Sequence, residues 1–204
     1  MDQRTRPAPR LATLPPEHTP ELKEQFEVTR KRMDYIPNAL LIMQRRPKMV
    51  SGYVTLAAAI WDPESKVDLK FKRLISHVTS RAAGCQYCMA HTAEGAIKLG
   101  LDYEKLEAVW DYQTSPLFSA GERAALDVAV AAGCVPNAVT DEMFAELRKH
   151  WSDDEVVEIV GAIAIFGFMN RWNDTFATPL EDNALEFGEK HLASHGWDAG
   201  IHLR

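Results

Sequence analysis

The chain has 204 residues, of which 46% are hydrophobic and 25% are charged, and its formal net charge at pH 7 is −6. This length and composition are typical of one globular domain with a sizeable core, and the acidic balance argues against non-specific binding to nucleic acid. Three cysteines do not form a disulfide scaffold, and in a reducing cytosol a cysteine pair is more often catalytic or metal-binding.

The N-terminal segment is rich in proline, with prolines at positions 7, 9, 15, 16 and 20. Proline lacks a backbone donor and clashes inside a helix, so residues 1–19 are predicted to form an extended arm, disordered or lying on a partner subunit. The Arg residues at positions 4, 6 and 10 are interpreted as part of this solvated arm. Residues 20–204 are predicted to form a single domain.

From residue 20 onward, apolar residues recur with helical spacing, and no segment alternates in the manner of a strand. Thr19 is expected to cap the first helix, with Pro20 at its first position. Ser119-Ala-Gly-Glu122 and Ser152-Asp-Asp-Glu155 both match the capping box. The predicted helices are 20–33, 38–44, 47–61, 67–83, 87–100, 102–112, 119–132, 140–150, 152–176 and 183–194. The fold class is therefore all-α, with eight to ten helices.

Two thiols and an imidazole lie close together in the run Cys85-Gln-Tyr-Cys88-Met-Ala-His91. If a helix begins near Tyr87, Cys88 and His91 share a face, because residues three apart are neighbours on a helix. A Cys-x-x-Cys pair with a nearby base can perform thiol redox chemistry. One thiolate attacks, the second closes a disulfide, and the imidazole carries the proton.

Other uses of this motif stay open from spacing alone. Met89 follows the second cysteine, so the run is not a haem-attachment signature. A structural zinc site usually has four Cys or His ligands, and His77 could complete one by folding, whereas Cys134 has no neighbouring partner in sequence. Two merely buried cysteines would leave His91 without a role. Redox chemistry without a metal or cofactor is the favoured interpretation.

Three segments occur in a characteristic order: Ser80-Arg-Ala-Ala-Gly-Cys85-Gln-Tyr-Cys88-Met-Ala-His91-Thr, then Ser119-Ala-Gly-Glu-Arg-Ala-Ala-Leu-Asp, then Phe168-Met-Asn170-Arg171-Trp followed by Thr178-Pro-Leu-Glu181. Together they resemble the alkylhydroperoxidase D and carboxymuconolactone decarboxylase superfamily over about residues 35–185. The resemblance implies an all-helical antioxidant fold that assembles as dimers, trimers or hexamers.

The resemblance also implies a role for each thiol. Cys88 would meet a hydroperoxide substrate and Cys85 would resolve the adduct, with His91 assisting. The disulfide would then be reduced by a thiol partner such as a lipoyl or thioredoxin-like protein. Carboxymuconolactone decarboxylases lack this cysteine pair, so its presence favours a peroxidase over that lyase. The alternatives are a disulfide reductase that never meets peroxide, and a non-redox member that binds a metal or a small molecule.

The chain departs from the family pattern at two positions. The family has a relay Glu twelve residues before the first cysteine, and this chain has Arg73 there. The family's His usually lies four residues after the second cysteine, whereas His91 lies three residues after Cys88. A guanidinium cannot accept a proton. Arg73 and His77 are four apart, so His77 is expected to face the same site and accept the proton, while Arg73 lowers a cysteine pKa. The alternative is a core His77, with Arg73 paired to Asp68 or Glu64.

Four more polar residues receive structural interpretations. Asn170 and Arg171 interrupt an apolar helix and are assigned to an interface or a buried polar network. His191 and His195 lie near the end of the last helix, where cations are favoured, with a metal pair as the alternative.

The N-terminus has no apolar signal region, and no segment approaches the ~18 apolar residues of a membrane span, so we expect a cytoplasmic protein.

Overall fold

The structure is a computed structural model that describes residues 9–203, and over this range it is all-α, with no strand. The fold-class prediction is therefore confirmed. The helices are α1 (Lys23–Met33), α2 (Asn38–Met43), α3 (Pro47–Ile60), α4 (Leu69–Ala83), α5 (Gln86–Lys98), α6 (Tyr103–Glu107), α7 (Ala120–Gly133), α8 (Asp141–Leu147), α9 (Asp153–Phe176) and α10 (Asp182–His191). None of them, within the described range, combines the length and apolarity needed to cross a bilayer.

Helix α4 lies at the centre of the fold and packs against α5, α7 and α9. Most of its residues are buried, including three hydroxyl side chains. Ser76, Thr79 and Ser80 each donate a hydrogen bond to the carbonyl one turn earlier, at 2.9, 2.9 and 2.8 Å. These bonds satisfy hydroxyl groups that would otherwise be costly to bury. A helix with several polar residues can therefore be buried among α5, α7 and α9.

A buried charge pair joins α4 to α9. The Lys72 ammonium, 1% exposed, lies 2.7 Å from the Glu158 carboxylate. It also donates to the Ile60 carbonyl at 3.0 Å and to the Ser65 hydroxyl at 2.8 Å. These three acceptors satisfy the buried ammonium, which therefore holds the segment between α3 and α4 against the bundle.

The helix-start predictions have mixed outcomes. Both capping boxes are present, with Ser119 and Glu122 capping α7 and Ser152 and Glu155 capping α9. Thr19 occupies the predicted N-cap position with Pro20 after it, but its side chain makes no capping bond and instead donates to the Gln44 carbonyl at 3.4 Å. The chain after it forms the 3-10 turn Pro20–Leu22 instead, and α1 begins only at Lys23.

The described part of the N-terminal segment lies along the helical body. The Arg10 guanidinium donates to the carbonyls of Asp174 and Thr175, at 2.9 and 3.0 Å. It therefore binds the C-terminal end of α9, where a cation is electrostatically favoured, rather than standing free in solvent. The predictions for positions 4, 6 and 7 lie outside the described residues.

Candidate active site

The two thiols are placed by the tight connection between α4 and α5. Gly84 ends α4 with φ +78°, a left-handed conformation that glycine adopts at little cost, and the Cys85 amide bonds back to the Ser80 carbonyl at 3.0 Å. Cys85 thus becomes the N-cap of α5, and Cys88 lies in its first turn. Both are free thiols, 0% and 1% exposed. Both thiols therefore lie at the positive end of the α5 dipole.

The two thiols face different surroundings. Cys88 lines a cavity of about 60 Å³, which we call the chamber, whereas Cys85 is not among its lining residues. Apolar and aromatic side chains form most of the chamber wall, including Tyr53, Trp61, Tyr87, Phe166 and Met169. An adjoining cavity of about 280 Å³, which we call the vestibule, shares Trp61, Arg73 and His91 with the chamber.

Arg73 lies at the junction of chamber and vestibule. Its guanidinium stacks over the Trp61 ring, 4.2 Å from the centroid. Within residues 9–203 it makes no ion pair, so the expected pairing with Asp68 or Glu64 is wrong, and the Asp68 carboxylate instead caps α4. Burial lowers the pKa of Arg73 to about 10, which leaves it charged at neutral pH. The site therefore contains a cation without a carboxylate partner.

His91 lies between a tyrosine and a carboxylate. Its Nε2 donates to the Glu181 carboxylate at 2.6 Å, and its Nδ1 lies 3.0 Å from the Tyr35 hydroxyl. Tyr35 also donates to Glu94 at 3.2 Å, and Lys98 pairs with Glu94 at 3.1 Å. His91 and Cys88 both line the chamber, as their shared helix face predicts. However, no hydrogen bond links His91 to either thiol among the described residues.

The site does contain a carboxylate, but it belongs to Glu181 and not to position 73. The sequence analysis did not identify Glu181 as a site residue. It precedes α10 and also accepts a hydrogen bond from the Tyr87 hydroxyl at 3.0 Å. Burial opposes its ionisation, but His91 and the Asn38 amide hold its pKa below the ordinary value. Hydrogen bonds therefore connect Glu181, His91, Tyr35 and Glu94 in a chain from chamber to vestibule, which we call the relay. The only sequence signal was its place at the end of the Thr178-Pro-Leu-Glu segment.

His77 does not face the chamber, contrary to expectation. Its Nδ1 donates to the Met89 carbonyl at 3.0 Å, and its ring meets Trp110 edge-on at 6.1 Å. Burial lowers the pKa of His77 to about 4, so the ring is neutral. Arg73 and His77 lie on one face of α4, but α5 packs across that face at the turn of His77. Arg73 therefore lines the chamber, whereas His77 contacts the backbone of α5. This geometry fits the core-histidine alternative.

A second histidine, His202, lies beside Cys85 and was also missed. Within the described residues, Cys85, Asp174 and His202 are the one Cys/His/Asp/Glu cluster with metal-ligand spacing, and their heteroatoms lie within 4.8 Å of one another. Neither His77 nor the His191 and His195 pair belongs to it. On the other thiol, the Asn173 amide donates to Cys88 Sγ at 3.4 Å.

The remaining polar candidates have structural surroundings. His191 packs on Tyr103 and Phe187, and His195 stacks on Trp110 and lies 2.8 Å from Glu107. Each ring thus has its own separate packing partners.

Asn170 and Arg171 lie near the C-terminal half of α9. Asn170 is 2% exposed, and neither atom of its amide has a partner, so the predicted buried network is incomplete there. The Arg171 guanidinium donates to the Gly167 carbonyl at 2.8 Å.

Comparisons with known proteins agree with this architecture. Residues 47–131 match the carboxymuconolactone decarboxylase family. The uncharacterized protein YnjA of Escherichia coli K12 is 29% identical over 117 residues, which cover 57% of this chain and 64% of YnjA, somewhat under two thirds of its length. The uncharacterized protein YdfG of Bacillus subtilis 168 is 24% identical over 111 residues, covering 54% of this chain and 74% of YdfG.

Solved structures show the same fold over most of the chain. The debrominase Bmp8, solved alone and as a Cys-to-Ala variant with 2,3,4-tribromopyrrole, is 29% identical with a TM-score of 0.82, covering 88% of this chain and 96% of Bmp8. A peroxidase-related protein from Ralstonia eutropha JMP134, described as an alkylhydroperoxidase AhpD core, is 19% identical with a TM-score of 0.75, covering 87% of this chain and 95% of that protein.

Proposed function

Because residues 47–131 match the carboxymuconolactone decarboxylase family, we propose that the chain is a member of this superfamily and a cofactor-free two-thiol oxidoreductase in which Cys88 attacks the substrate and Cys85 resolves the adduct. One observation carries this assignment. Cys88 lines the chamber and Cys85 does not, although the two lie in one Cys-x-x-Cys turn. Only Cys88 can therefore meet a substrate held in the chamber.

The first candidate substrate is an organic hydroperoxide. The Cys88 thiolate attacks the distal oxygen, the O–O bond breaks, and the alkoxide takes a proton from the relay, in which His91 is the member that lines the chamber. Cys85 then attacks the resulting sulfenic acid, so that a disulfide forms and water leaves. A thiol protein of the lipoyl or thioredoxin class reduces the disulfide. Glu181 supplies the carboxylate that Arg73 cannot.

The second candidate substrate is a halogenated aromatic ring, and Arg73 favours it. Aromatic walls suit a planar ring, and a cation without a carboxylate partner suits an acidic ring in its anionic form. The similarity to the debrominase Bmp8 over most of the chain supports this candidate. Here the Cys88 thiolate attacks the halogen, the ring carbon keeps the bonding pair and takes a proton, and Cys85 then displaces halide to form the same disulfide.

A thiol-mapping experiment tests both candidates. The reduced protein is treated with cumene hydroperoxide or with a polybrominated pyrrole, and mass spectrometry locates the disulfide while bromide release is measured. We expect a Cys85–Cys88 disulfide in at least one arm. Cys88→Ser should abolish it, whereas Cys134→Ser, which removes the third thiol, should not. If both thiols stay free in both arms, the proposal is wrong and a disulfide-reductase or non-redox role is favoured.

Substitutions at Arg73 should distinguish the two candidate substrates. Arg73→Met should raise the KM for an anionic bromopyrrole about tenfold or more, because it removes the buried cation that lies over Trp61 in the chamber wall, while Arg73→Lys should restore part of the binding. Turnover of the neutral hydroperoxide should change far less in either variant. Equal losses for both substrates would show that Arg73 serves the packing on Trp61 rather than substrate choice.

A further inference from the structure

The ring of His202 is held by two groups that can only accept hydrogen bonds. Its Nδ1 donates to the Thr178 carbonyl at 2.8 Å, and its Nε2 donates to the Asp174 carboxylate at 3.1 Å. An imidazole with a donor on each nitrogen is an imidazolium. The side chain of His202 is 1% exposed, so this positive charge lies inside the protein.

The charged ring faces Cys85. The Cys85 sulfur, a His202 nitrogen and an Asp174 oxygen lie within 4.8 Å of one another. The titratable groups that face Cys85 are Cys88, Asp174 and His202, and Tyr87 packs on the His202 ring at 5.7 Å. Burial raises the pKa of Cys85, and Cys88 and Asp174 raise it further, whereas His202 acts in the opposite direction. Burial alone would lower the pKa of His202, but Asp174 and Cys85 raise it to about 9.

We infer that His202 and Asp174 form a pair in which the His202 imidazolium, kept charged by Asp174, stabilises the thiolate of Cys85. His202 acts on the sulfur, and Asp174 is a positioning residue that keeps the imidazole charged and oriented. The naming of Cys85 as the resolving thiol rests on the proposed function, but the pair itself does not. Each thiol then has its own polar partners: Cys88 faces the chamber and Asn173, and Cys85 faces the C-terminal 3-10 turn Gly200–His202.

The pair would act in both halves of the catalytic cycle. In resolution, Cys85 releases its proton to water, and the charge of His202 stabilises the thiolate that remains. The Cys85 thiolate then forms a bond to the Cys88 sulfur, and hydroxide or halide leaves with the electrons of the broken bond. In reduction, an external thiolate attacks Cys88 and Cys85 leaves as a thiolate beside the imidazolium. A stabilised thiolate is the better leaving group.

Thiolate absorbance tests this pair without any substrate. In a Cys88→Ser, Cys134→Ser background only Cys85 remains, and its ultraviolet thiolate signal is titrated against a variant that also carries Cys85→Ala. We expect His202→Gln to move the midpoint of thiolate formation upward, with about tenfold less thiolate at a given pH. His195→Gln, a histidine change remote from the thiols, should leave the midpoint in place. An unchanged midpoint in His202→Gln, with the helical circular dichroism intact, would overturn the inference.

A second measurement avoids any change at His202, in case its replacement prevents folding. Coupling between two groups is reciprocal, so removing the thiolate must change the titration of the imidazole. We expect the histidine-ring NMR signal of His202 to titrate at lower pH in Cys85→Ala than in its parent. Identical titrations would refute the pair. Failure of the enzyme to consume hydroperoxide or bromopyrrole would overturn the proposed function but would leave both titrations as expected.

Discussion

At the residue level, the acid–base chemistry of the candidate site depends on a carboxylate that enters from a distant segment. Position 73, one turn before His77 on α4, holds an arginine that stacks on Trp61. The ionised carboxylate at Glu181 instead fixes His91 from the loop before α10. A carboxylate bonded to one imidazole nitrogen sets the tautomer and the orientation of the ring, which is what a proton relay requires.

Glu181→Gln should therefore damage chemistry more than binding. The amide keeps the shape but removes the charge that orients His91, so the rate of disulfide formation should fall about 10²-fold, the lower range for a lost acid–base group. Single-turnover kinetics across pH would measure this, and the pH profile should change as well as the rate. Glu189→Gln, an exposed carboxylate on α10, serves as the matched control. A uniform small loss in both variants would contradict a relay role for Glu181.

Two buried histidines should give opposite pH dependences of stability. The folded pKa of His77 is lowered to about 4, so its contribution to stability is present above pH 6.5 and is lost as the pH falls toward 4. The folded pKa of His202 is raised to about 9, so its contribution is present below pH 6.5 and is lost as the pH rises through 9.

The His202 contribution can be isolated by comparing wild type with His202→Gln. The difference in unfolding free energy should be larger at about pH 6 than at about pH 10, by about 3 kcal/mol for a pKa shift from 6.5 to about 9. Denaturant unfolding at several pH values would measure it. A difference that stays constant with pH would mean that only packing was lost, and that the ring is not charged in the fold.

At the element level, the central position of α4 requires its neighbours to approach closely. Helix α7 reaches α4 where α7 ends, at Gly133. A Cβ at Gly133 would lie 2.7 Å from the Thr79 carbonyl oxygen and 2.8 Å from Ala82 Cβ, both closer than van der Waals contact allows. Helix α4 cannot move away, because α5 and α9 pack on its other sides. The absence of a side chain at Gly133 therefore permits this packing.

A pair of glycine substitutions tests this close approach. Gly133→Ala should destabilise the fold by about 1–3 kcal/mol, the usual cost of overpacking. Gly52→Ala should stabilise it by about 0.5–1 kcal/mol, because Gly52 lies inside α3 and a Cβ there meets nothing within 4 Å. Thermal or denaturant unfolding of the two variants gives the comparison. A stabilised Gly133→Ala would show that α7 can separate from α4 without cost.

At the scale of the whole molecule, two neighbouring helices present a surface without charge. Residues 49–61 and 159–170 contain no Asp, Glu, Lys or Arg, although the chain carries a net charge of −6. Helix α3 packs on α9, and exposed apolar side chains lie on both, among them Leu56, Val160 and Phe168. We propose that a second copy of the chain covers this face, because two uncharged faces meet without like-charge repulsion.

Light scattering of purified protein tests this assembly. The wild type should be a dimer or larger, and Val160→Glu should shift it toward the monomer, since an unpaired carboxylate in an apolar interface is costly. Phe144→Glu changes an exposed phenylalanine on α8, which packs on α7, and should leave the mass unchanged. A monomeric wild type at all concentrations would remove the proposal.

The sequence alone determined the features that depend on neighbouring residues. Helical periodicity predicted the all-α fold, and the two capping boxes marked the starts of α7 and α9, because the Ser and Glu of each box lie within one helical turn. The Cys-x-x-Cys turn was visible for the same reason. The Thr19 cap failed because proline and a distant carbonyl drew the local chain into a 3-10 turn.

Only the tertiary structure decided which groups surround each thiol. Glu181 meets His91 across 90 residues and Asn173 meets Cys88 across 85, and no local pattern marks such pairs. The spacing of Arg73 and His77 predicted a shared face, but α4 is surrounded, so neighbouring turns of one face meet different helices. The helical period of a sequence specifies in which direction each side chain points from the helix axis. Which groups surround that side chain depends on how the other helices pack.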